Sequence, residues 1–187
     1  MNEWKSLLLG ACIFAGILPS AAGGAVLNEV GKNKVGAEFP NRIGIDLSRP
    51  GTELISPLDR FEDKSVKHVF LSFFQTTCVP CLAELSQISM HNGRLRKGGV
   101  EVFLVAVQEE PAEIRKFLKT NRYDFPTIAD RFEAEYSHRC GVFGVDEVRK
   151  LPTSVLLGKS ADGGLVLEAV WQGSEENIVD RILEKAK

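Results

Sequence analysis

Val69-Phe70-Leu71-Ser72-Phe73-Phe74 is a nearly continuous apolar run, and Gln75-Thr76-Thr77 leads from it straight into Cys78-Val79-Pro80-Cys81. A short run of this kind reads as a central strand covered on both faces. Pro80 suits the first turn of a helix, where its missing N–H costs nothing, so a helix opens at the C-x-x-C and runs to about Arg96. Gly98-Gly99 closes it. In that place Cys78 meets unpaired backbone N–H groups and the positive end of the helix dipole, and both favour a thiolate. Thiolate is the attacking form in disulfide exchange. Cys81 lies one turn deeper and can close a small disulfide ring, with Cys78 as the exposed nucleophile and Cys81 as the resolving thiol.

Strands and helices alternate onward from there. Val100 to Val107 is a second buried strand; Pro111 starts a helix with Ile114, Phe117 and Leu118 as its apolar stripe. Phe125 to Ala129 is a short strand and Arg131 to Ser137 a short helix. Ser154 to Leu157 and Leu165 to Trp171 flank a turn-rich link, Lys159 to Gly164, suited to a hairpin. A last helix is expected near Ser174, with Ser174 as N-cap and Ile178, Ile182 and Leu183 turned inward. The pattern means an α/β fold with a mixed sheet.

Upstream, residues 23–65 read as an irregular lead-in with short apolar stretches such as Ile43-Gly44-Ile45 and one hairpin, its first part, 23–35, flexible. Residues 1–22 have the order of a secretory signal peptide: Lys5, an apolar run from Leu7 to Leu18, then small residues to Ala22. That run is short of the roughly 20 residues that span a bilayer. A rival lies inside it. Leu9-Gly10-Ala11-Cys12 resembles a bacterial lipobox, which would lipidate Cys12 and tether the chain to a membrane.

The 187 residues are 44% hydrophobic and 26% charged, ordinary for a soluble globular protein and ample for one core. A net charge of −2 supplies no broad basic field, so nucleic acid is not an expected partner. A structural zinc site at Cys78 and Cys81 would need two further ligands. Only His138 and Cys140 offer a close pair, which makes poor zinc evidence. Cys140 itself reads as a small hydrophobe, or as the thiol of a regulatory disulfide. His68 and His91 have no evident partners. Arg94, Arg96, Lys97, Arg115, Lys116 and Lys119 read as solvated helix faces, and Trp171 as sheet packing.

The segment Phe73 to Glu84 resembles the active-site segment of the thioredoxin superfamily, and more narrowly that of the exported TlpA/ResA-like thiol–disulfide oxidoreductases. Leu151-Pro152-Thr153 before a strand is similar to that family's cis-proline loop. The resemblance covers residues 36–187, with the helix and strand at 111–129 where the narrower family carries its insertion. It implies a thioredoxin-like fold: a central mixed β-sheet flanked by helices, with an N-terminal extension and an inserted helix and strand. It also implies that Pro152 is cis, faces the cysteines, and lets Leu151, Pro152 and Thr153 hold an extended substrate peptide as an added strand.

Glu84 shares a helix flank with Cys81, Leu85 and Ile88. Its spacing alone fits a solvated glutamate near a helix N-terminus; the resemblance implies instead a carboxyl near the buried thiol that moves protons. Cys78, Cys81 and Glu84 are thus the expected catalytic residues. Two positions depart from the pattern: Thr77 replaces the usual Trp, and Ser72 stands where thioredoxins hold a buried aspartate.

The resemblance implies a periplasmic or otherwise extracytoplasmic enzyme that reduces protein disulfides, with electrons from a membrane thiol donor and apocytochrome c among its substrates. No metal or organic cofactor is required. A peroxiredoxin shares the fold but calls for Pro and Thr seven and three residues before its cysteine. Leu71 and Gln75 stand there, so that reading is set aside. The reading from a different class is a non-catalytic binding module, its cysteines a structural disulfide or metal ligands.

Overall fold

The computed structural model describes residues 35–130 and 151–187. Within them, a six-stranded sheet has the order β1-β8-β7-β4-β5-β6, and β2 and β3 form a separate two-stranded hairpin. In chain order these strands are β1 (Glu38–Phe39), β2 (Gly44–Ile45), β3 (Leu54–Ile55), β4 (His68–Phe74), β5 (Val100–Val107), β6 (Thr127–Asp130), β7 (Thr153–Lys159) and β8 (Leu165–Gln172). The helices are α1 (Val79–Lys97), α2 (Pro111–Asn121) and α3 (Ile178–Lys185), with a 3-10 turn at Leu58–Glu62. β4, β5 and β6 run parallel, whereas β7 is antiparallel to both β4 and β8. The mixed α/β architecture expected from the sequence is the one observed.

Period-two alternation along the central strands divides the core in two. Phe70 and Phe74 of β4, with Val102, Leu104 and Ala106 of β5, pack with Leu85, Ile88 and Leu95 of α1 and Ile178 and Ile182 of α3. Val69, Leu71 and Phe73 turn the other way, toward Phe39 and Ile55 of the N-terminal extension and the half-buried Leu58 and Phe61. Each such side chain contributes about 1.5–3 kcal/mol on full burial, so β4 is held from both faces and anchors the loop that follows it. Trp171 lies against Phe70, ring centroids 6.0 Å apart, as sheet packing should.

α1 ends as the glycines predict: Gly99 takes a positive φ of 76°. A Cβ at Gly98 would come within 2.5 Å of a methyl carbon of Leu183, so that glycine also allows α3 to approach. β6 begins two residues later than expected, and the hairpin in the extension is β2–β3.

Three sequence expectations need correction. α3 starts at Ile178 behind Asn177, with no side-chain cap, rather than at Ser174. The chain from Gly173 is still turning off β8, and Glu175 reaches Arg181 instead. His68 does have a partner, since its Nδ1 lies 2.6 Å from Glu168 Oε2. That pair crosses β7 at Gly158, where a Cβ would overlap the Glu168 carboxylate. Arg115 is no free surface cation: it donates to the carbonyls of Leu47, Arg49 and Gly51 and straps the extension to α2. Arg94 pairs with Asp180 of α3 at 2.8 Å. The expected helix at 131–137, His138, Cys140, Cys12 and the signal segment lie outside the described residues.

Candidate active site

The site sits where β4 stops and α1 starts. Gln75 and Thr76 are held from the neighbouring β5 end. The Gln75 amide donates to the Val107 carbonyl at 3.1 Å. The Thr76 N–H donates to both Glu109 carboxylate oxygens, at 2.8 and 3.0 Å, and its hydroxyl donates to Oε1 at 2.5 Å. Glu109 was invisible to pattern reading, because its partner is 33 residues away and no motif marks it.

Cys78 is the N-cap of α1, in extended conformation, and Pro80 falls in the first turn as expected. The Cys78 sulfur accepts the Cys81 N–H at 3.3 Å. Cys78 and Cys81 are joined as a disulfide, S–S 2.09 Å, with Cα atoms 5.2 Å apart. The two sulfurs differ sharply in setting. Cys78 is half-buried between exposed Thr77 and exposed Val79, whereas Cys81 is 1% exposed within the α1 core.

Glu84, one turn beyond Cys81, is also 1% exposed, which rules out the solvated setting. Its Oε1 accepts from Ser154 Oγ at 2.7 Å and Ser72 Oγ at 3.2 Å. Burial pushes the Glu84 carboxyl above the usual carboxylate range. The hydroxyls of Ser154 and Ser72 pull it back down, and the Glu175 charge adds to the rise. The result is a buried carboxyl whose protonated form is favoured, on the same helix face as Cys81.

The peptide bond between Leu151 and Pro152 is cis. Leu151 is half-buried and packs against both halves of the core, and Pro152 and Thr153 are buried. The Pro152 carbonyl accepts the Gly173 N–H at 2.8 Å, which ties the loop to the end of β8. Thr153 pairs with Phe73 of β4, so the proline loop and the Cys78 loop leave the same end of the sheet. All six residues expected from the sequence lie at this end; sequence reading missed Glu109, and saw Ser72 solely as a departure.

A strand–loop–helix bearing a C-x-x-C at the helix N-terminus, beside a cis-proline loop at the same sheet end, defines a thioredoxin-like thiol–disulfide oxidoreductase. The chain belongs to the AhpC/TSA family, whose model matches residues 51–162. It is similar to thiol-disulfide oxidoreductase ResA of Bacillus cereus, 28% identical over 147 residues that cover 79% of this chain and 76% of the relative. ResA of Bacillus subtilis (strain 168) is 27% identical over 167 residues, covering 87% and 84%. Among solved structures, a thiol:disulfide interchange protein of the thioredoxin family from Chlorobium tepidum TLS superposes with a TM-score of 0.61 at 21% identity, covering 81% of this chain and 96% of that one. StoA from Bacillus subtilis does so with a TM-score of 0.55 at 19% identity, covering 78% and 97%.

Proposed function

We propose that this protein is an exported reductase of protein disulfides in which Cys78 attacks, Cys81 resolves and Glu84 moves the proton. The observation that carries this reading is the asymmetry of the pair: a half-buried sulfur at a helix N-cap and a fully buried one behind it. The Cys78 thiolate attacks a substrate disulfide, forming a mixed disulfide and expelling one substrate thiolate. Glu84 takes the Cys81 proton, and the Cys81 thiolate attacks Cys78 Sγ. The second substrate thiolate leaves, and the Cys78–Cys81 disulfide holds the two electrons' worth of oxidation. The backbone at Leu151, Pro152 and Thr153 would hold the substrate as an extended strand beside Cys78.

Recharging the dithiol calls for an external thiol donor, and a membrane carrier fits an exported reductase. Apocytochrome c cysteines are the substrates the ResA likeness favours. Residues 1–22 would direct export and be removed; lipidation at Cys12 is the alternative, and the intact mass of protein from membranes separates the two.

Redox titration of the mature domain, with thiols mapped at each poise, tests the reading. A Cys78–Cys81 couple at about −270 mV or below, the range of thioredoxin, is expected. A midpoint near the roughly −120 mV of a strong oxidant would turn the function toward disulfide formation. Absence of that couple would leave a non-catalytic binding module.

A further inference from the structure

Two hydroxyls sit in an otherwise apolar sheet face directly beneath Glu84. Ser72 of β4 and Ser154 of β7 are directly paired in the antiparallel ladder, so their side chains share a face. Their neighbours on that face are Phe70, Phe74 and Leu156, all fully buried. Ser72 is 1% exposed and Ser154 0%. Serine hydroxyls in such a place cost stability unless they are bonded. Here they are bonded to each other, Oγ to Oγ at 3.1 Å, and both to Glu84 Oε1.

The three oxygens close a triangle. A hydroxyl both donates and accepts. With Glu84 ionised, both serines can donate to Oε1. With Glu84 protonated, its O–H can donate a hydrogen bond to a serine oxygen and the hydroxyls turn in response. Both protonation states are therefore satisfied by rotating O–H bonds alone.

We propose that Ser72 and Ser154 are positioning residues, a hydroxyl cradle that fixes the Glu84 carboxyl one helical turn beyond Cys81 and lets it gain and lose a proton without moving. The proposal rests on the proton-moving role of Glu84 given above. Among the described residues, the charged group that bears on Glu84 is Glu175 from the segment before α3, and Cys81 lies one turn away on the same helix. Glu175 is itself paired with Arg181.

Loss of the two donors disfavours the carboxylate, so Glu84 would stay protonated to higher pH. The test measures the rate of mixed-disulfide resolution against pH for wild type, Ser72→Ala, Ser154→Ala, Ser154→Thr and Glu84→Gln. Infrared titration of the buried carboxyl band, identified by its loss in Glu84→Gln, reads protonation without using activity. Each alanine variant should move both profiles to higher pH and slow resolution at pH 7 by about 3- to 10-fold. Ser154→Thr should restore the wild-type profile, and either alanine added to Glu84→Gln should change the rate profile no further. Alanine profiles that coincide with wild type while Glu84→Gln differs would overturn the cradle and leave the role of Glu84 standing. A Glu84→Gln rate profile identical to wild type would overturn the role of Glu84 itself, and the cradle with it. Should an alanine variant fail to fold, the other alanine variant and Ser154→Thr carry the same comparison.

Discussion

Glu109 holds Thr76 by three contacts, from one backbone N–H to both carboxylate oxygens and from one hydroxyl to Oε1, two residues before the Cys78 N-cap. An ionised carboxylate makes stronger hydrogen bonds than a neutral acceptor. Glu109→Ala should therefore lower stability by about 1–2 kcal/mol, below the full cost of an unsatisfied buried group because Glu109 is partly exposed. Glu109→Gln keeps one carbonyl acceptor and should lose less. The check is a urea unfolding midpoint that falls with an unchanged slope; equal midpoints for Glu109→Ala and wild type would mean that the clamp holds nothing.

Burial of Glu84 makes the stability of the fold depend on pH. The folded-state proton affinity of Glu84 is raised, chiefly by burial. Between the ordinary carboxyl value and the raised one, the native state binds more protons than the unfolded state, so stability falls as pH rises through that window. Below the window both states are protonated and the penalty vanishes. Glu84→Gln should thus be more stable than wild type at pH 8 and should converge with it at about pH 4 and below. Thermal melts across that range check it, and a gap that widens on acidification would contradict the sign. The same variant should resolve mixed disulfides about 100-fold more slowly at neutral pH, the low end for losing a proton-transfer group.

What the sequence made legible follows from which interactions are local. The buried run 69–74, the C-x-x-C, Pro80 and Gly98-Gly99 lie within one strand–helix unit, and periodicity and turn chemistry were enough to read them. The cis-proline loop, far along the chain from the cysteines, was found by resemblance alone. Glu109 on Thr76, Ser154 on Glu84 and Glu168 on His68 join residues 33, 70 and 100 positions apart. Nothing in the local pattern marks such pairs. The misplaced α3 start has the same origin: Ser174 with Glu175 and Glu176 fits a helix opening, yet Glu175 is taken by Arg181 and the apolar stripe begins at Ile178.

The cysteine pair predicts an order of reactivity. In reduced protein at neutral pH, iodoacetamide should label Cys78 at least about tenfold faster than Cys81, since thiolate character and access both favour it. Cys81 is 1% exposed. Cys81→Ser should accumulate a mixed disulfide with substrate, and Cys78→Ser should form none. Peptide mapping after a timed alkylation checks the first point, and non-reducing gels check the second. Equal labelling of both thiols would remove the division into nucleophile and resolver.

Peroxide turnover separates disulfide exchange from the peroxiredoxin reading. The two places where a peroxiredoxin carries Pro and Thr hold Leu71, fully buried in the core, and Gln75, whose amide is used on the Val107 carbonyl. Thr76 does bring a hydroxyl close to Cys78 in the chain, but that hydroxyl is given to Glu109. A donor already committed to a carboxylate is a poor one for stabilising the oxygen that leaves when a thiolate attacks peroxide. The reduced protein should therefore consume hydrogen peroxide within about tenfold of a free thiol of equal acidity, because thiolate fraction alone then sets the rate. It should exchange with a small disulfide far faster than that free thiol does. Stopped-flow measurement of both reactions on one preparation makes the comparison. A peroxide rate orders of magnitude above the free thiol would mean that Thr76, or another hydroxyl, leaves its partner to serve the sulfur, and Glu109→Gln would then be expected to raise that rate further.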